Sequence, residues 1–302
     1  MSPSPDSALG TYLEARKKIV DEALERYLPG EDNYPAVIFK AFRYSLFGGG
    51  KRIRPILCLA SAEAVGGSIE ATLPVACALE LIHTYSLIHD DLPAMDDDDY
   101  RRGRPTSHKV FGEDMAILAG DALLTEAFRL MSDTKLMRNV APERLLSVIC
   151  DVAEAAGYFG MVAGQVVDVQ SEGKTVDKKV LDFIHTRKTG AMIVVAVKAG
   201  AVLANAGEDE INALTSYGRD IGLVFQIADD ILNVEGDRKL MGKETGSDSK
   251  RGKVTYPGML GLPASRKEAA ALVESAVSAI KQFDHRAEPL RLIARYIVER
   301  KL

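Results

Sequence analysis

Between residues 83 and 105 the chain reads HTYSLIHDDLPAMDDDDYRRGRP, with six aspartates from Asp90 to Asp99 and three arginines, Arg101, Arg102 and Arg104, directly behind them. Neighbouring carboxylates repel and resist ionising together unless a cation neutralises them, while adjacent guanidiniums offer forked donors matched to phosphate oxygens. The segment therefore has the make-up of a metal and phosphate site. It also has the make-up of a solvated acidic turn, and its own residues leave both readings open.

Two other stretches bear on that choice. In GGGKRIRP, residues 48–55, three glycines precede Lys51, Arg52 and Arg54 at an expected helix start. Glycine lets backbone N–H groups close on an anion, and a helix N-terminus adds partial positive charge, so Lys51, Arg52 and Arg54 read as an anion site. The spacing is not that of a Walker loop, and a flexible turn with solvated charges is the alternative. In FQIADDILN, residues 225–233, Gln226, Asp229 and Asn233 fall on one helical face with Asp230 beside them. Phe225, Ile227, Ile231 and Leu232 surround these carboxylates, which would be costly to bury without a metal or a cationic partner. Two acidic clusters on separate helices suit an oxygen-ligated Mg²⁺ site in the core of a bundle.

The elements that must position these residues are helical. Apolar periodicity and Gly or Pro stops predict helices over 9–28, 36–47, 54–65, 71–91, 112–130, 142–169, 177–205, 209–232, 265–283 and 287–302. Ile193–Val197 has strand propensity, but no second strand-like run is available to pair with it, so it reads as helix. No Asn-Gly or Asp-Gly hairpin signal separates alternating runs. The reading is an all-α, single-domain bundle over 1–302, with residues 1–8 disordered.

Bulk properties narrow the partners. At 302 residues, 47% hydrophobic and with net charge −5, the chain offers no basic surface of the kind nucleic acid requires. The longest apolar run, residues 191–206, is interrupted by Lys198 and too short for a membrane span. Cys58, Cys77 and Cys150 show no ligand-like spacing and read as reduced thiols. Residues 1–10 carry neither a basic cluster nor an apolar core, so no secretory signal is expected and the expected location is cytoplasmic.

With these pieces in hand, the chain resembles the short-chain trans-isoprenyl diphosphate synthases, and most of all bacterial farnesyl diphosphate synthases. The matching motifs are GGGKRIRP at Gly48, HTYSLIHDDLPAMDDDDYRRGRPT at His83, LAGDALL at Leu118, GQVVD at Gly164, HTRKTG at His185, FQIADDILN at Phe225 and GKVTYP at Gly252. The resemblance implies an all-α prenyltransferase, usually a homodimer, that joins isopentenyl diphosphate head to tail to dimethylallyl and geranyl diphosphate. It implies Mg²⁺, with Mn²⁺ as the other candidate, held by Asp90, Asp91 and Asp96 of the first motif and Asp229 and Asp230 of the second. It places isopentenyl diphosphate against Lys51, Arg54, His83 and Arg102. Arg101, Lys188, Lys243 and Lys253 fall to the allylic diphosphate, and Thr189 and Gln226 to the reacting carbons. Asn233 stands where the second motif commonly carries a third Asp. His89 reads as a satisfied polar residue, and Asp97, Asp98 and Asp99 as a solvated turn.

The resemblance also gives the first-motif helix a role in product length. Tyr85 lies five residues before Asp90, about 7.5 Å along a helix axis, and Ser86 four before it, so Tyr85 is the bulky candidate for a floor under the growing tail. A fifteen-carbon product, farnesyl diphosphate, is the expectation. Geranyl or geranylgeranyl diphosphate synthase on the same site is the alternative, and a catalytically silent partner subunit of another synthase is the alternative of a different class. A silent subunit should have lost catalytic residues that are present here, and a terpene cyclase would have no use for Lys51 and Arg54.

Overall fold

A computed structural model of the protein describes residues 7–235 and 254–299. Ser7 caps the first helix by accepting from Gly10 N at 3.0 Å, so helix begins within the stretch expected to be disordered; the remainder of that stretch, residues 1–6, lies outside the described residues. From this cap runs α1 (Ala8–Tyr27), followed by α2 (Ala36–Leu46), α3 (Ile53–Ala64) and α4 (Ile69–Asp90). Then come α5 (Ser107–Phe111), α6 (Glu113–Ser132), α7 (Pro142–Ala156), α8 (Met161–Ser171), α9 (Lys178–Ile184), α10 (Ala191–Leu203) and α11 (Glu208–Glu235). The described chain closes with α12 (Tyr256–Leu260), α13 (Leu262–Ala279) and α14 (Glu288–Glu299).

The core is built on α3, α4, α10 and α11. Each of the first three is apolar around most of its circumference, the pattern of a helix that must be enclosed on all sides. Ile193, Val195, Ala196 and Val197 are all buried on α10, which packs against α3, α11 and α7, so the strand-prone run is helical as expected. α6 covers α4 and α13 covers α11. Tyr217 ties the C-terminal end to this core, its buried hydroxyl donating to Leu290 O at 2.7 Å.

Three local features depart from the expected helices. Between α4 and α5 a small antiparallel hairpin pairs β1 (Tyr100–Arg101) with β2 (Arg104–Pro105), in the register Tyr100 with Pro105 and Arg101 with Arg104. Its central residues, Arg102 at φ 54° and Gly103 at φ 75°, both take the left-handed region that a tight two-residue hairpin turn requires. The stretch expected as one helix over 142–169 is two, α7 and α8, parted at Gly157–Gly160. Within the stretch expected as one helix over 177–205, residues His185–Gly190 widen into a turn of π-helix between α9 and α10.

Two helical runs, Ile69–Asp90 and Pro142–Ser171, have the length and apolar composition to cross a bilayer. The first is 72% buried inside the protein, and the second is the one parted by the glycines.

Candidate active site

A cavity of about 1260 Å³ opens between the α2–α3 loop, α4, the hairpin, α8, the π turn and α11. It receives residues from each of the three motifs that the sequence singled out. Lys51, Arg54, His83, Tyr85, Ser86, Asp90, Asp96, Arg101, Arg102, Lys188, Thr189, Gln226 and Asp229 all line it. Lys243 and Lys253 lie outside the described residues.

The backbone explains how the first motif turns its carboxylates together. α4 ends at Asp90, and the chain folds back so that Asp96 N donates to Asp90 O at 2.8 Å, bringing both aspartates to one wall. Gln165 Nε2 donates to Asp90 Oδ1 at 2.8 Å and orients it. Asp91 behaves differently. It is 3% exposed and absent from the cavity lining, and Arg101 Nε donates to its two oxygens at 2.7 and 2.9 Å. Asp91 thus holds Arg101 at the edge of the site and is not itself part of the cavity lining. The pair also keeps Arg101 charged: burial alone would lower its pKa, but hydrogen bonding and the charge of Asp91 outweigh that and raise it.

The second motif divides the same way. Asp229 lines the cavity. Asp230, the next residue on the helix, points elsewhere: it is buried, its Oδ2 lies 3.1 Å from His185 Nε2 and accepts from Tyr256 N at 2.9 Å. Tyr256 in turn stacks on the His185 ring. Asp230 therefore anchors α12 and the start of the π turn, and does not share the cavity with Asp90, Asp96 and Asp229. Asn233, one turn further on, is likewise not part of the lining.

Opposite the acids stand the cations. Arg102 donates from Nη1 to Gly49 O, joining the hairpin to the glycine loop. All three basic residues expected there as an anion site, Lys51, Arg52 and Arg54, line the cavity. Arg52 is spent on a buried ion-pair cluster, from Nε to Asp21 Oδ1 at 2.8 Å, from Nη1 to Glu80 Oε1 at 2.7 Å and from Nη2 to Leu46 O at 2.7 Å. Arg54 Nε and Glu80 Oε2 are buried without a hydrogen-bond partner. Burial, then the charges of Arg54, Arg102, Arg101 and Arg52, hold the His83 imidazole well below its ordinary pKa, so it is a neutral hydrogen-bonding group in a strongly cationic corner.

Helix α8 supplies positioning groups that the sequence reading recorded only as part of the GQVVD motif. Gln165 holds Asp90, and Asp168, one turn later, takes Lys188 Nζ at 2.6 Å. Two polar side chains three apart in the apolar setting of Val166 and Val169 were the available signal. The close approach rests on Gly164, where a Cβ would lie 2.1 Å from Lys188 N. On the π turn, Thr189 Oγ1 donates to Gln226 Oε1 at 3.0 Å, so these two expected partners meet.

The rest of the lining is apolar. Met161, Val162, Val166, Val169 and Phe225 form one side, and Tyr85 stands on the other, 8% exposed, with its ring edge against His89 at 5.7 Å. His89 Nε2 lies 3.0 Å from Ile117 O, a satisfied contact as expected. Asp90, Asp96 and Asp229 give three hard oxygen donors facing one space, the donor set that suits Mg²⁺, with cationic side chains around them for an anionic ligand.

Comparison with known proteins agrees with this arrangement. A family model described as polyprenyl synthetase matches residues 35–292. The chain is 50% identical over 291 residues to a geranylgeranyl diphosphate synthase of Cyanophora paradoxa, covering 96% of each chain. It is 46% identical over 289 residues to a farnesyl diphosphate synthase of Geobacillus stearothermophilus, covering 96% of this chain and 97% of that one. Its structure superposes on that of an FPP/GFPP synthase from Zymomonas mobilis with a TM-score of 0.87 at 40% identity, covering 96% and 98%.

Proposed function

The chain belongs to the polyprenyl synthetase family, and from that premise we propose that it is a trans-prenyltransferase joining isopentenyl diphosphate to dimethylallyl and geranyl diphosphate to give farnesyl diphosphate. The observation that carries the reading is a single cavity in which Asp90, Asp96 and Asp229 face Arg101, Arg102 and Lys188 beside an apolar wall bounded by Tyr85. In this reading residues 1–302 form one catalytic domain.

Asp90, Asp96 and Asp229 would hold Mg²⁺, which when bound would neutralise the charge that grows on a departing diphosphate. Arg101, fixed by Asp91, and Lys188, fixed by Asp168, add preorganised positive charge to the same leaving group. Lys51, Arg54 and Arg102, with neutral His83, hold the second diphosphate. The allylic tail lies along Met161, Val162, Val166 and Phe225, which exclude the water that would quench a carbocation. Thr189 and Gln226, already hydrogen bonded to each other, stand beside the reacting carbons. No protein base is required, because the departed diphosphate can take the final proton.

A second reading on the same site has its own support: the relative that is 50% identical is a geranylgeranyl diphosphate synthase. Tyr85 is what favours the shorter product, since its ring, backed by His89, narrows the cavity one to two turns beyond Asp90. The exposed apolar residues Ile117, Leu118, Leu146, Tyr158 and Phe159 on and between α6, α7 and α8 support a homodimer, and the free cysteines are compatible with the reducing cytoplasm.

The test is direct. Purified protein with Mg²⁺ and isopentenyl diphosphate is given dimethylallyl, geranyl or farnesyl diphosphate in turn, and the products are sized. Elongation of the first two to fifteen carbons is expected. Elongation of farnesyl diphosphate would move the assignment to geranylgeranyl diphosphate, and no elongation of any primer would defeat the enzyme reading.

A further inference from the structure

Asp97, Asp99 and His108 flank the hairpin and take no part in the cavity. Asp97 and Asp99 precede β1, and His108 follows β2 on the short helix α5, while Thr106 N donates to Asp99 O at 3.0 Å where the two ends meet. One ligand atom from each of the three side chains lies within 4.8 Å of the other two. An exposed acidic pair alone would mean little, but the histidine adds an independent fact. His108 is only 7% exposed, and its Nε2 is buried with no hydrogen-bond partner. Its other ring nitrogen, Nδ1, is 3.2 Å from Thr106 Oγ1, which fixes the ring and leaves Nε2 as the atom with unused capacity. Buried polar atoms are almost always satisfied, so an unpartnered ring nitrogen on a histidine grouped with two carboxylates calls for a missing partner.

We infer that Asp97, Asp99 and His108 form a divalent-cation site, separate from the catalytic carboxylates, that staples together the two ends of the hairpin carrying Arg101 and Arg102. The donor set is one imidazole nitrogen and two carboxylates. That set favours a first-row transition ion such as Mn²⁺, Co²⁺ or Zn²⁺ over Mg²⁺, which prefers oxygen ligands alone. Lys109 already occupies part of the position as a cation: its Nζ sits 2.7 Å from Asp99 Oδ1, and both side chains are well exposed. An exposed single ion pair of this kind is weak, so a divalent ion can displace it. The bound ion would link residues on either side of the turn at Arg102 and Gly103, and so restrict the loop that delivers two guanidiniums to the cavity. The inference rests on the hairpin's geometry and holds whatever the product of the enzyme.

The experiment uses the full chain with Asp90→Asn and Asp229→Asn, which silences the main cavity, and follows Co²⁺ by isothermal titration calorimetry and visible absorption. One equivalent is expected to bind. His108→Gln and, separately, Asp97→Asn in the same background should each weaken it at least tenfold. Asp97 is exposed, so its replacement tests the site even if the buried histidine variant fails to fold. Hydrogen–deuterium exchange of residues 100–106 should slow when Co²⁺ is added. Absence of binding, or binding indifferent to Asp97→Asn, would overturn the site, and unchanged exchange across the hairpin would overturn its stapling role. No prenyl substrate enters these measurements, so their failure is distinct from failure of the assigned reaction.

Discussion

Arg101 and Asp91 are locked face to face, with Nε donating to both carboxylate oxygens at 2.7 and 2.9 Å and Nη2 standing 2.6 Å from Oδ1. Asp91 and Asp90 are neighbours in sequence, yet one is committed to a guanidinium beneath the surface and the other faces the cavity. Two adjacent acids thereby acquire different functions.

That difference is measurable. Asp90→Asn should raise the Mg²⁺ concentration needed for half-maximal activity, because it removes a carboxylate proposed to hold the metal. Asp91→Asn should leave that concentration within about twofold and instead raise the KM for the allylic diphosphate roughly 10- to 100-fold, the equivalent of the ~1.5–3 kcal/mol carried by hydrogen bonds to charged groups. Steady-state kinetics across a Mg²⁺ series separates the two. Equal shifts in metal dependence for both variants would return Asp91 to the metal.

Arg52 and Glu80 form the most enclosed ion pair among the described residues, with side chains 2% exposed on both sides. Glu80→Leu alone leaves Arg52 short of a buried counter-charge, and a loss of about 3–5 kcal/mol in unfolding free energy is expected. Arg52→Met should cost as much. The double variant Arg52→Met/Glu80→Leu should recover most of that loss, since it buries apolar groups in place of two charges. Urea denaturation of the four proteins completes the cycle, and single-variant losses below about 0.5 kcal/mol would contradict it.

Much of this was legible in the chain because helices announce themselves by periodicity and the cavity gathers its chemistry from contiguous motifs. Asp229 stood out as a carboxylate among apolar neighbours, whereas Asp90 and Asp96 were separated from the rest of their acidic run only by the family resemblance, and the structure brings all three to one cavity. The roles of Asp91, Asp230 and Arg52 were not legible: their partners are Arg101, His185 with the Tyr256 backbone, and Glu80 with Asp21, which are remote in sequence or lie beyond any local spacing rule. The hairpin escaped because its turn is Arg102-Gly103, not the Asn-Gly or Asp-Gly pair that marks such turns, and Arg102 accepts a positive φ while its side chain bonds Gly49. The π turn at His185–Gly190 adds one residue to a helical circuit without changing composition, so nothing in the apolar pattern reveals it.

His83 gives a pH prediction whose sign follows from its depressed pKa. In the unfolded chain a histidine takes a proton near pH 6.5, whereas the folded ring stays neutral well below that. Between those two values the unfolded state binds more protons, so the contribution to stability is complete above about pH 6.5 and is lost as pH falls, by at most about 1.4 kcal/mol per unit. His83→Gln removes this share. The stability difference between wild type and variant, measured by denaturation without substrate, should therefore shrink in the wild type's disfavour from pH 7 to pH 5. A difference that is flat over that range would show that the folded ring titrates normally.

Tyr85 offers the sharpest test of product length. Its ring is nearly buried, lies against His89, and His89 is itself held by the Ile117 carbonyl, so the ring cannot simply swing aside. Tyr85→Ala removes that ring from the cavity wall while leaving Asp90, one and a half turns away, in place. The tail can then run deeper, and products longer by about one or more five-carbon units are expected with the first condensation rate little changed, because the proposed diphosphate-binding residues Lys51, Arg54, Arg101, Arg102 and Lys188 are left in place. Ser86→Phe places bulk on the neighbouring face of the same cavity and should shorten the product instead. Radiolabelled isopentenyl diphosphate and chromatography of the dephosphorylated products read both outcomes. An unchanged distribution for Tyr85→Ala would mean that the limit is set across the cavity, by the α8 residues Val162 and Val166, and not by the helix that carries the first acidic motif.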